Sequence, residues 1–91
     1  MTIIMSADTS PLKFPCTFPL KVMGHNNDAF EAAMQAVLSR HLNGAHVVYA
    51  RQPSKGGKYL SITATFLAES REQLDALYRE LNAHELVKMT L

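Results

Sequence analysis

Tyr59-Leu60-Ser61-Ile62-Thr63-Ala64-Thr65-Phe66 alternates without a break: Leu60, Ile62, Ala64 and Phe66 face one way, and Tyr59, Ser61, Thr63 and Thr65 the other. A period of two with one apolar and one hydroxyl-rich face is a strand covered on one side only. A few residues later the rhythm changes. Ser70 and Gln73 have the spacing of a capping box, whose side chains satisfy N–H groups that the first helical turn leaves unpaired. Leu74, Leu77, Tyr78 and Leu81 then recur at helical spacing. A strand is followed by a helix whose single apolar stripe has to lie on a sheet.

Outward from this stretch the same grammar repeats. Pro53-Ser54-Lys55-Gly56-Gly57 is a turn, and a strand with weaker alternation, exposed more on one side, is expected before it over about His46 to Gln52. Further back, Phe30, Ala33, Met34, Val37, Leu38 and His41 line one helical face, with Asn27 or Asp28 as its cap and Asn43-Gly44 as a left-handed stop. Before that helix, Leu20 and Val22 oppose Lys21 and Met23 in a strand that should start no earlier than Pro19 and end at Gly24. At the other end Val87, Met89 and Leu91 alternate with Leu86, Lys88 and Thr90.

The order is β-α-β-β-α-β, the α+β ferredoxin-like sandwich: an antiparallel four-stranded sheet with two helices on one face. Right-handed crossovers put both helices on that face and the first and third strands in the centre. The expected core is Phe30, Met34, Val37, Leu38, Leu60, Ile62, Phe66, Leu74, Leu77, Leu81, Val87 and Met89. The expected open face carries Lys21, Met23, Tyr59, Ser61, Thr63, Thr65, Lys88 and Thr90.

A chain of 91 residues holds one such domain. Its 47% hydrophobic against 19% charged content excludes a disordered polymer. Residues 1–13 have no period and contain Ser6, Asp8, Thr9, Ser10 and Pro11, so they are expected to be a flexible arm before a single domain over 14–91. The lone Cys16 has no internal disulfide partner, which fits a reducing compartment. Met1–Met5 is too short for a signal peptide's apolar region, and no run reaches the ~18 apolar residues of a membrane span. The expected location is the cytoplasm. A net charge of +1 gives no overall attraction to nucleic acid or anionic lipid. The charge is nonetheless unevenly placed. Between Glu31 and Glu69 stand only Arg40, Arg51, Lys55 and Lys58, whereas 69–85 holds five acids against Arg71 and Arg79.

Phe14-Pro15 followed by Phe18, then Lys21-Val22-Met23-Gly24, resembles the start of the domain of unknown function 493 family, the YbeD-like bacterial proteins. Arg40-His41, Ser54-x-x-Gly57-x-Tyr59-x-Ser61 and Val87-x-Met89-x-Leu91 resemble it in the same order over about residues 14–91. The resemblance implies a ferredoxin-like fold similar to ACT-type regulatory domains. It brings no catalytic residues, since no activity is established for that family.

Reaction chemistry finds little purchase. His25, His41, His46, His84 and Cys16 fit no metal-ligand spacing, and His41, on the apolar edge of its helix, reads as structural. Ser54 or Ser61 could be drawn into a triad with a histidine, but no nucleophile elbow surrounds either. Gly56-Gly57 beside Ser54, Lys55 and Lys58 is no phosphate cradle, because it joins two strands instead of leading into a helix. No catalytic residue, metal or cofactor is therefore expected. What is expected is a regulatory or protein-interaction module. Its interaction hairpin is Arg51, Ser54, Lys55, Gly57, Lys58 and Tyr59, turned toward an acidic protein partner or a second copy. Gly24, His25, Asn26 and Asn27 are the expected small-ligand loop, by analogy with ACT-type domains. RNA binding on the open sheet face is the alternative, weakened because that face offers Tyr59 and few other aromatics, with Ser61, Thr63 and Thr65 in their place.

Overall fold

A computed structural model describes residues 13–90. The elements are β1 (Cys16–His25), α1 (Asp28–Leu42), β2 (Val48–Pro53), β3 (Tyr59–Ala68), α2 (Arg71–Ala83) and β4 (Val87–Thr90). All strand pairs are antiparallel, in the order β2-β3-β1-β4, so β1 and β3 are central as the crossover rule requires. Up to residue 12 the expected N-terminal arm lies outside the described residues, as does Leu91.

Leu20 and Val22 from β1, Leu60, Ile62, Ala64 and Phe66 from β3, Phe30, Met34, Val37 and Leu38 from α1, and Leu74, Leu77 and Leu81 from α2 form one buried core. Each helix is stopped and started by its local chemistry. Asn27, not Asp28, caps α1: its side-chain oxygen accepts from the Phe30 N–H at 2.8 Å. Asn43 and Gly44 then take positive φ at the far end. Ser70 Oγ caps α2 by accepting from the Gln73 N–H at 3.0 Å. The Gln73 side chain reaches one residue past the usual box to the Glu69 N–H, and donates to the His41 carbonyl at 3.1 Å, tying α2 to the end of α1. His41 is structural as expected, its Nε2 2.7 Å from Glu80 Oε1, while Arg40 meets the other carboxylate oxygen.

Four expectations need correction. Strand β1 begins at Cys16, three residues ahead of Pro19, and runs on to His25. Proline is accommodated because β4 pairs only with Val22–Gly24, so beside Pro19 no ladder on that side asks for an N–H. Strand β2 starts at Val48, two residues later than expected, and is exposed at all six positions. Met89 is not core: it is 48% exposed. Thr90 is not on the open face: its Oγ1 donates to Asn82 Oδ1 of α2 at 3.0 Å. One bulge explains both of these last two. Gly24 opposes Val87 while Met23 opposes Met89, so Lys88 is an extra residue and the alternation of β4 reverses across it.

Candidate functional site

The two segments singled out in the sequence form one surface. Register places His25 directly opposite Tyr59 at the end of the central strand pair. Their rings lie 5.3 Å apart at 35°. Beyond them, the Asn26 backbone N–H donates to the Lys58 carbonyl at 3.0 Å, and the Asn26 side-chain amide donates to the Gly57 carbonyl, also at 3.0 Å. The β1–α1 loop thus grips the tip of the β2–β3 hairpin through a single asparagine.

The hairpin is closed from inside as well. The Ser54 N–H donates to the Tyr59 carbonyl at 2.8 Å, the Tyr59 N–H donates to Ser54 Oγ at 3.0 Å, and the Gly57 N–H donates to the Ser54 carbonyl at 2.8 Å. Gly56 and Gly57 both have positive φ, +87° and +77°, which the tight return of the chain requires. Ser54 is therefore committed to the turn. Lys55 and Lys58 are exposed, and Lys58 Nζ sits 5.4 Å from the centre of the Tyr59 ring, within cation–π range.

Two expected residues play other parts. Arg51 does not belong to a basic cluster free of acids: its Nε lies 2.7 Å from Glu31 Oε2, with Nη2 donating to Oε1 at 3.3 Å. It points to the helix side of β2, because its pairing partner in β3 is the buried Ile62. Gly24 is buried, and a Cβ there would stand 2.6 Å from both the Leu86 carbonyl oxygen and the Phe30 ring. Close packing, rather than an open ligand loop, occupies that position. A small cleft of about 110 Å³ lies elsewhere, between α1 and β2, lined by Glu31, Met34, Gln35, Tyr49, Arg51 and Ile62. Burial raises the pKa of the Tyr49 phenol at its edge.

Electrostatics divide the molecule by layer. Among the described residues no strand contains an acid, whereas Asp28 and Glu31 lie in α1 and Glu72, Asp75 and Glu80 in α2. Register assigns Lys21, Met23 and His25 of β1, Tyr59, Ser61, Thr63 and Thr65 of β3, and Val48, Ala50 and Gln52 of β2 to the open face. That face, continued by Lys55 and Lys58 at its end, is mixed apolar and hydroxylic with only positive charge. Among the described residues no three His, Cys, Asp or Glu side chains converge in the way a metal site needs. No helix among them is long and apolar enough to cross a membrane. Sequence reading missed the Asn26 grip and the Glu31–Arg51 pair. The first depends on two loops 31 residues apart meeting in space, for which no local pattern exists.

Fold and surface together define a small ferredoxin-like α+β domain with helices on one face of its sheet and an acid-free open face on the other. The chain belongs to the family described as protein of unknown function (DUF493), whose model matches residues 9–91, starting five residues earlier than the stretch whose motifs carried the resemblance. A UPF0250 protein of Neisseria gonorrhoeae is 46% identical over 85 residues, covering 91% of this chain and 92% of that one. Another, from Paraburkholderia phytofirmans, is 39% identical over 87 residues, covering 94% and 98%. The solution structure of protein HP0495 from H. pylori matches with a TM-score of 0.75 over 92% of this chain and 91% of that one, at 15% identity, a likeness of fold. None of these names carries a catalytic activity.

Proposed function

We propose that the protein is a non-catalytic interaction module that engages an acidic protein surface through the end of its sheet, with Lys55, Lys58, Tyr59 and His25 at the contact and Lys21 behind them. The observation that carries this reading is the Asn26 grip, which fixes the hairpin tip against the β1–α1 loop and so presents its lysines on a preorganised mount. Support also comes from the open face, where Met23 and Val48 sit among hydroxyls and positive charge without any acid. That mixture suits a protein partner better than RNA, whose modules stack bases on several aromatic rings. Here the rings of Tyr59 and His25 lie against each other instead of forming separate stacking platforms, and Lys58 flanks Tyr59. Small-ligand sensing at the β1–α1 loop loses ground because Phe30 and Leu86 fill the space around Gly24.

The test is capture on the immobilised chain, wild type beside Lys55→Glu/Lys58→Glu, with and without nuclease. A captured acidic protein that withstands nuclease, is lost with the double variant and releases as salt rises supports the reading. Equal capture by both chains, or capture abolished by nuclease, contradicts it.

A further inference from the structure

The two edges of the sheet are treated differently. Strand β4 is blunted: it carries Lys88 and contains the bulge, two devices that keep another strand from adding to an edge. Strand β2 has no bulge, and its one charged side chain, Arg51, is drawn to Glu31 on the helix side. It is six residues long, regular in register, without lysine or acid, and only Pro53 at its end lacks an N–H. All six residues are exposed, and Val48 and Tyr49, at 57% and 38%, are two of the four exposed large hydrophobics among the described residues.

The direction of the free backbone groups follows from the turn. Ser54 donates to the Tyr59 carbonyl, so the 54–59 pair bonds inward to β3. Hydrogen-bonded and non-hydrogen-bonded pairs alternate along an antiparallel ladder. Ala50 and Gln52 therefore also turn their N–H and C=O groups toward β3, and Tyr49 and Arg51 turn theirs outward. Pro53 falls in the outward set, where a missing N–H costs the sheet nothing.

We infer that β2 pairs edge to edge with β2 of a second copy of this chain, about a two-fold axis through Ala50. This register sets Tyr49 of each copy opposite Arg51 of the other, and both residues have outward-facing groups, so each pair exchanges both of its backbone hydrogen bonds. Opposed residues share a face, which keeps the helices of both copies on one side of a continuous eight-stranded sheet. On that side the phenol ring of Tyr49 comes beside the guanidinium of the second copy's Arg51, over the Glu31–Arg51 pair and the cleft that α1 leaves open. Val48 meets Gln52 on the other face. The register is self-complementary in charge: a shift to an axis through Arg51 would oppose two guanidinium groups.

This assignment is independent of the acidic-partner reading, which uses a different part of the molecule. The test is disulfide trapping on a Cys16→Ala background. With the axis at Ala50, the two copies of that residue form a non-hydrogen-bonded pair with Cα atoms about 4.5 Å apart, inside the range a disulfide spans. Under mild oxidation Ala50→Cys should form a covalent dimer. Gln52→Cys, whose copies would stand about 14 Å apart along the strands, should not. In sedimentation equilibrium the wild-type mass should rise toward two copies with concentration, and Arg51→Pro, which removes only an outward N–H from the backbone, should stay at one copy with an unchanged far-UV spectrum. A wild-type mass of one copy at every concentration overturns the inference, and so does equal cross-linking by the two cysteine variants. If Arg51→Pro fails to fold, the cysteine pair decides alone.

Discussion

Gly24 shows how one residue joins the layers of this molecule. It lies in β1 with the Phe30 ring and the Leu86 carbonyl each 2.6 Å from where a side chain would begin. Its φ is unexceptional, so the requirement is for space. Gly24→Ala should destabilise the fold by about 1–3 kcal/mol through overpacking, read as a lower urea midpoint at unchanged slope. Met89 makes the opposite case. Its alternation with Lys88 and Thr90 assigns it to the core, but the bulge turns it outward beside Met23. Met89→Lys should therefore change stability by no more than about 0.5 kcal/mol, whereas a buried methionine would not tolerate the charge. Asn27 shows a third kind of dependence. Asn27→Ala removes the acceptor for the Phe30 N–H and should cost about 1 kcal/mol.

At the scale of elements, what the sequence made legible follows from how strictly each element is buried. Strand β3 and helix α2 bury every second or every third-to-fourth residue, so their periods could be read directly. Leu77 is fully buried there, and Leu77→Ala should cost about 2–5 kcal/mol through the cavity it leaves, again by chemical denaturation. Strand β2 is exposed at every position, with no alternation between covered and open residues, which is why its start was misplaced and its pattern weak. The early start of β1 was hidden because the proline rule assumes a ladder on both sides, and β4 does not extend that far. Both segments of the candidate site were legible as loops with Gly, Asn and Lys. That they touch was not, because contact between loops depends on the return of β3 alongside β1. The Glu31–Arg51 pair likewise needs a helix and an edge strand 20 residues apart to come together.

Across the described residues, charge is sorted by layer: five acids on the helices, Glu69 and Glu85 in connections, and none in the strands. This sorting, not the net charge of +1, determines what the open face can approach. A related pH dependence concerns Tyr49 and Tyr78, whose phenols are pushed above the usual tyrosine range by burial. The folded state holds those protons more tightly than the unfolded chain, so their contribution is intact below the ordinary value of 10.0 and is lost as pH rises through the raised values. Thermal scans from neutral to strongly alkaline pH should show that decline beginning only above this point. The central claim, that the lysine-bearing end of the open sheet face is a recognition surface for acidic partners, is tested most directly by mapping where an acidic polymer touches the chain. Backbone amide shifts of the isotope-labelled protein, followed during titration with poly-L-glutamate at low salt, should concentrate at His25–Asn27, Lys55–Tyr59 and Lys21, and fade in Lys55→Glu/Lys58→Glu. Shifts spread evenly over every exposed lysine and arginine, or gathered on α2 around Arg71 and Arg79, would contradict it.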